Sequence, residues 1–260
     1  MNFLSAENIA KSFGDRWLFK GLNFGISQGQ RVALVGVNGS GKTTLLNVLA
    51  GKLPPDEGSV SVRKEVSIGY LGQNPEFDEE LTVQQNIFSM QNETLELISQ
   101  YEVAIANPNT SAEKMQKLME RMDELQAWDF EVKVKQILSK LGINNLDTKI
   151  KHLSGGQRKR VAMARVLIEE PDMLILDEPT NHLDLDTIEW LEGLLSTQNS
   201  TLLMVTHDRY FLDKVANEIA ELDNGQIFSY KGNYSYFLEK KAEREETAAA
   251  ETEKARNLMR

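Results

Sequence analysis

The chain has 260 residues, of which 41% are hydrophobic and 26% charged, enough for a sizeable core in one large α/β domain or two small ones. Its formal net charge of −10 runs against a nucleic-acid binder, which usually carries a basic face, and the lack of cysteine rules out disulfides and thiol chemistry. No apolar run is long enough to cross a bilayer, and the first residues lack the basic start and apolar stretch of a secretion signal. A cytoplasmic protein with no membrane partner is therefore expected.

The first third reads as short strands separated by turns. Arg31–Val35 is an apolar run that leads through glycines into a helix rich in Leu and Val, closed by Ala50-Gly51 with Gly51 at the C′ position. Val60–Val62 and Val66–Leu71 read as two further strands.

The middle is helical and acidic, with 14 acidic and 7 basic residues between Asn74 and Ile150. Leu95, Ile98, Tyr101 and Ile105 fall at helical spacing, and Asn107-Pro108-Asn109 breaks the pattern. Thr110 and Glu113 have the spacing of a capping box that opens a second helix. Met115, Leu118, Met119, Met122 and Leu125 form its apolar stripe, and hairpin packing is the simplest reading of that stripe. A third helix, about 128–141, ends at Gly142.

From Leu153 the α/β pattern returns. A helix runs from Ser154 to about Glu169 and stops at Pro171. Strands follow at Met173–Leu176 and Thr201–Thr206, with a helix between them, and Glu218–Leu222 and Gln226–Tyr230 form a hairpin across Asp223-Asn224-Gly225. The tail after Tyr236 is Glu, Lys, Arg and Ala, which favours a long helix. It lacks a C-cap, as a chain cut inside that helix would.

Three segments carry chemistry. Gly36-Val37-Asn38-Gly39-Ser40-Gly41-Lys42-Thr43, followed by Thr44, sits between a strand and a helix and matches the phosphate-binding loop GxxxxGK[ST]. Its glycines let backbone N–H groups face phosphate oxygens, and the helix N-terminus adds a favourable dipole. Lys42 supplies charge for the β- and γ-phosphates and Thr43 a hydroxyl for magnesium; a chance glycine-rich turn is the competing reading. Met173–Leu176 then ends in Asp177-Glu178. Asp177 suits magnesium and Glu178 an attacking water, against the plainer reading of a buried strand with an acidic helix cap. Leu153-Ser154-Gly155-Gly156-Gln157 opens a helix, either as a second anion site or as a simple N-cap.

Among the histidines, His207 ends a strand, where it can contact a γ-phosphate and orient water. Local hydrogen bonding suffices for His152 and His182. Phe13 is either an exposed aromatic that stacks on adenine or a core or turn residue. No cluster has metal-ligand spacing, so magnesium should arrive with the nucleotide.

Taken in this order, the motifs resemble the ATP-binding cassette superfamily across essentially the whole chain. The match adds Gln73, in Tyr70-Leu71-Gly72-Gln73, and the loop ending Leu183-Asp184. The resemblance implies an α/β fold: a P-loop core, an antiparallel β subdomain and a helical subdomain. It implies Mg-ATP hydrolysis, with Gln73 on magnesium and the attacking water and Asp184 in cross-talk between sites. It also implies head-to-tail pairing, in which the Ser154 segment of one cassette closes on the ATP of another, either a second cassette of the full-length protein or a second copy of this chain.

Glu178-Pro179-Thr180-Asn181-His182-Leu183-Asp184 and Tyr230-Lys231-Gly232-Asn233-Tyr234-Ser235 are similar to the soluble, tandem-cassette ABC-F class, and 186–192 resembles its Uup-like branch. On that resemblance residues 1–238 are a cassette, 86–127 an arm-like helical hairpin, and 239–260 the start of a helical linker to a second cassette. The implied partner is the ribosome and its RNA, with modulation of translation as the role. The alternatives are the nucleotide-binding subunit of a transporter and a repair or recombination ATPase acting on branched DNA.

Overall fold

The computed structural model describes residues 1–88, 93–197 and 200–258. Two twelve-residue strands open the chain, β1 (Asn2–Phe13) and β2 (Arg16–Ser27), where shorter strands were expected. They form an antiparallel hairpin with several register shifts. Those irregularities explain why strict alternation is hard to read from Asn2 to Ser27. β3 (Arg31–Val35) follows and ends at the glycine-rich loop. After α1 (Lys42–Leu49), β4 (Glu57–Val62) returns to pair with β1, giving a three-stranded sheet of order β2-β1-β4.

The second sheet has six strands. β5 (Ile68–Leu71), β6 (Met173–Asp177), β7 (Thr201–Val205), β8 (Glu218–Asp223) and β9 (Gln226–Lys231) join β3 in the order β5-β6-β7-β3-β8-β9. All neighbours are parallel except β8 and β9. Every residue of β6 and β7 is buried, which is why both read as unbroken apolar runs. Asn224 and Gly225 both have positive φ, 48° and 77°, as the two-residue β8–β9 turn requires.

Residues 1–72, 171–180 and 188–260 form one compact unit, with both sheets, α1, α8 (Arg209–Val215) and α9 (Tyr234–Leu258). Its core joins Leu4, Ile9, Phe19 and Ile26 of the smaller sheet to Leu34, Ile175, Leu203 and Leu222 of the larger, with Leu45 and Leu49 of α1. α7 (Leu185–Thr197) lies mostly in this unit.

Residues 73–170 and 181–187 form the second unit. It contains α2 (Val83–Phe88), α3 (Glu93–Ala106), α4 (Ala112–Glu124), α5 (Ala127–Lys140) and α6 (Gly155–Glu169). Leu97, Ile98, Ala104, Leu118, Met122 and Ala127 form its hairpin core. The rings of Tyr101 and Trp128 meet edge to face with centroids 4.9 Å apart.

Three details differ from the sequence expectation. α4 is capped by Ser111, whose side chain accepts from Lys114 N, while the Thr110 hydroxyl donates to Ala104 O at 2.8 Å and closes the turn after α3. Ile105 is exposed, and Ala104 takes the buried position at that end of α3. Of the methionine-rich stripe, Leu118 and Met122 are buried but Met119 and Leu125 are exposed, because the contact is narrower than the stripe. Residues 89–92 of the expected 86–127 hairpin, and 259 and 260 of the expected linker, lie outside the described residues. α9 begins at Tyr234, so the expected cassette–linker junction at 238 falls inside one helix.

Candidate nucleotide site

The site starts where β3 ends. A Cβ at Gly36 would lie 2.6 Å from Leu222 O and 2.9 Å from Ser40 Oγ, so only glycine lets the loop lie this flat on β8. Gly39 and Gly41 hold left-handed φ values of 79° and 101°, and Gly41 opens α1. The Lys42 ammonium folds back to donate to Gly36 O at 2.9 Å and Val37 O at 3.1 Å, bracing the loop. Burial lowers the Lys42 pKa, opposed by the nearby carboxylates of Glu178 and Asp177. Thr43 and Thr44 follow in the first turn of α1, while Asn38 stands exposed at the loop tip. Ser40 Oγ is buried with no hydrogen-bond partner among the described residues. An orphaned hydroxyl in a glycine-rich loop suits a bound polyphosphate.

Two strand ends supply the acidic and imidazole groups. Asp177 is fully buried and ends β6; Glu178, 6% exposed, turns away with φ 51°. The Glu178 N–H donates to Val205 O at 2.8 Å, which ties the turn to the end of β7. His207 lies just beyond β7, and its backbone N–H donates to Glu178 Oε2 at 3.3 Å. Its Nε2 lies 3.4 Å from Glu178 Oε1, while the imidazole itself is largely exposed. Asp208 then caps α8, accepting from Tyr210 N and Phe211 N. A cleft of about 460 Å³ is bordered by Gly36, Lys42 and His207.

The first unit thus brings together the loop at 36–43, Asp177, Glu178 and His207. Phe13 is 81% accessible and flanks the β1–β2 turn, so it lies outside the core. Tyr70 adds a contact that motif reading gives no role. Its hydroxyl donates to Asn47 Oδ1 of α1 at 2.6 Å, and burial together with the Asp177 charge pushes its pKa up to about 12. Its signal in sequence is only a polar hydroxyl in a buried strand just before Gln73.

The second unit contains Gln73, the Ser154 segment and Asp184. Ser154 is the N-cap of α6 in a full capping box: its Oγ accepts from Gln157 N and Gln157 Oε1 accepts from Ser154 N. Gly155 has open space where a side chain would be. A Cβ at Gly156 would come within 3.3 Å of His182 Cβ, so His182 packs on this segment, a role beyond the local hydrogen bonding expected of it. The His152 backbone N–H donates to Lys149 O. Asp184 caps α7, accepting from the Thr187 backbone and hydroxyl at 2.9 Å each, and those bonds hold its carboxyl below the usual carboxylate range.

A family profile described as ABC transporter matches residues 19–181, and a second of the same description matches 220–260. An uncharacterized ABC transporter ATP-binding protein, YfmR of Bacillus subtilis, is 44% identical over the whole chain and 42% of its own length. The energy-dependent translational throttle protein EttA of Mycobacterium tuberculosis (strain H37Rv) is 39% identical over 92% of the chain and 44% of its own length. The Escherichia coli (strain K12) EttA is likewise 39% identical, over 88% and 42%. The chain spans less than half the length of these relatives. Among solved structures, a dimeric bacterial ABC transporter cassette superposes with a TM-score of 0.62 at 26% identity, over 88% of this chain and 98% of that one. A dimeric post-hydrolysis cassette bound to ADP and Pi gives 0.60 at 25% identity over the same shares.

Proposed function

The chain belongs to the ATP-binding cassette family of ATPases, and on that premise we propose that it is the first cassette of a tandem ABC-F protein, close to the Uup-like branch, acting on the ribosome. The pairing of Glu178 with His207 beside the phosphate loop carries the catalytic part of this reading. Its identity to proteins named as translational throttles supports the ribosomal part.

In this mechanism the loop from Gly36 to Thr44 wraps the phosphates through its N–H groups, and Lys42 neutralises the β- and γ-phosphates. Thr43, Asp177 and Gln73 would hold Mg²⁺, which supplies charge neutralisation across those phosphates when bound. Glu178 accepts the proton of the attacking water, a role worth roughly 10²–10⁴-fold. His207 holds that carboxylate and contacts the γ-phosphate. Ser154, Gly155, Gly156 and Gln157 face the ATP of a second cassette at the N-terminus of α6, with Asp184 signalling between the two sites. Phe13 stacks on adenine. Residues 1–238 act as the cassette and 239–260 as the start of the linker.

A second reading, the ATP-binding subunit of a transporter, is favoured by the family description and by the transporter cassettes among the structural neighbours. Co-sedimentation of Glu178→Gln with ribosomes in Mg-ATP separates the two. Pelleting that depends on ATP and falls with salt supports the ribosomal role. A chain that stays in the supernatant in every nucleotide state removes it.

A further inference from the structure

α9 is held against the rest of the first unit at its first turn and again at a charge cluster, both beside the nucleotide site, with Phe237 packed on the Tyr230 ring between them, centroids 5.2 Å apart. At its first residue, the Tyr234 N–H donates to Asp213 Oδ1 of α8 at 2.7 Å. The Arg209 guanidinium of the same α8 sits over the Tyr234 ring at 5.3 Å. α8 begins directly after His207 and Asp208.

The second place is two to three turns further on. Glu221 of β8 is 2% exposed. Its carboxylate meets Lys241 Nζ at 2.6 Å and Arg244 Nη2 at 2.9 Å. Arg244 also donates to the Tyr230 hydroxyl at 2.8 Å and packs over the Phe228 ring at 3.9 Å. Glu221 stands directly opposite Val35 in the β3–β8 pairing, and the next residue, Leu222, supplies the carbonyl on which Gly36 lies. Phe237, Lys241 and Glu245 of α9 line the same cleft as Lys42 and His207.

A carboxylate this buried is tolerated only with its cations in place. The two cations come from α9, so the helix and the floor of the phosphate loop are held by one charge cluster. Helix lengths add leverage: 25 residues span about 37 Å, so a small tilt at the base displaces the far end by several times as much.

We propose that α9 is coupled to the nucleotide site through Glu221 as a positioning residue, so that ATP at Lys42 orders the helix and the docked helix tightens ATP binding. This rests on reading 36–43 as the phosphate loop. The two effects are reciprocal: whatever factor ATP adds to helix docking, docking adds to ATP affinity.

The test is amide hydrogen exchange over residues 235–247, with and without saturating Mg-ATP, together with ATP affinity measured on a fluorescent analogue. In the parent chain, ATP should slow exchange in this segment several-fold. Arg244→Met should abolish that slowing and weaken ATP binding three- to ten-fold, while Lys241→Arg, which keeps the cation, should behave like the parent. Glu221→Gln should act like Arg244→Met; if it does not fold, Arg244→Met, whose side chain reaches the helix surface, carries the test alone. ATP binding by the parent without any change in α9 exchange overturns the coupling and leaves the phosphate-loop reading intact. Arg244→Met binding ATP as tightly as the parent does the same. Absence of ATP binding by the parent overturns both.

Discussion

His207 lies against both oxygens of Glu178, donating its backbone N–H to one at 3.3 Å and placing its Nε2 3.4 Å from the other. The two residues come from the ends of adjacent strands, β6 and β7, and Glu178 reaches this position through a left-handed φ of 51°. A carboxylate tied by that N–H at a fixed turn is pre-aimed before any substrate arrives.

Replacing that carboxylate by an amide keeps the shape and removes the base. Glu178→Gln should bind ATP with near-parental affinity and release phosphate roughly 10²–10⁴ times more slowly. Single-turnover phosphate release beside equilibrium nucleotide binding checks it. Parental turnover would take the base away from Glu178.

The phosphate loop contains two glycines with opposite surroundings. At Gly36 a methyl group would strike Leu222 O at 2.6 Å, whereas at Gly39 nothing lies within 4 Å and only the positive φ of 79° resists substitution. Gly36→Ala should therefore lift the loop off β8, with both thermal stability and ATP affinity lost. Gly39→Ala should cost about 1 kcal/mol through backbone strain. Thermal shift with and without Mg-ATP tells them apart: the ATP-induced shift should survive in the second variant only.

Within the helical hairpin, Met122 is fully buried and Met119, three residues earlier, is 45% exposed. Met122→Ala should destabilise the second unit by about 2–5 kcal/mol, and Met119→Ala by less than about 0.5 kcal/mol. Urea unfolding followed through the Trp128 signal checks both, because Trp128 packs on this core. Equal costs would mean that the stripe is buried more broadly than the described contacts show.

The parts legible in the sequence are those where one residue type serves one local purpose. Gly36 signals a loop that nothing bulkier can make, and β6 and β7 are unbroken apolar runs because they are buried on both faces. The Ser154 segment left two readings open, and its side chain does act as a cap. What a sequence does not display depends on distant partners. Glu221 looks like an acid in a strand, and its importance comes from Lys241 and Arg244, twenty or more residues later. Tyr70 matters because Asn47 lies across from it, and His182 because Gly156 does. The β1–β2 register shifts blurred the alternation that would have revealed two long strands.

The position of β3 in its sheet also sets an order of events at birth. Its neighbours on either side are β7 and β8, more than 160 residues later in the chain. The small β1–β2–β4 sheet can assemble as soon as Val62 has been made, but the strand that carries the phosphate loop stays unpaired until residues 201–223 emerge. Nucleotide therefore cannot template the early stages of folding. With 36–43 read as the phosphate loop, a nascent chain gains that site, and the stability that ligand confers, only once residues 201–223 have been made.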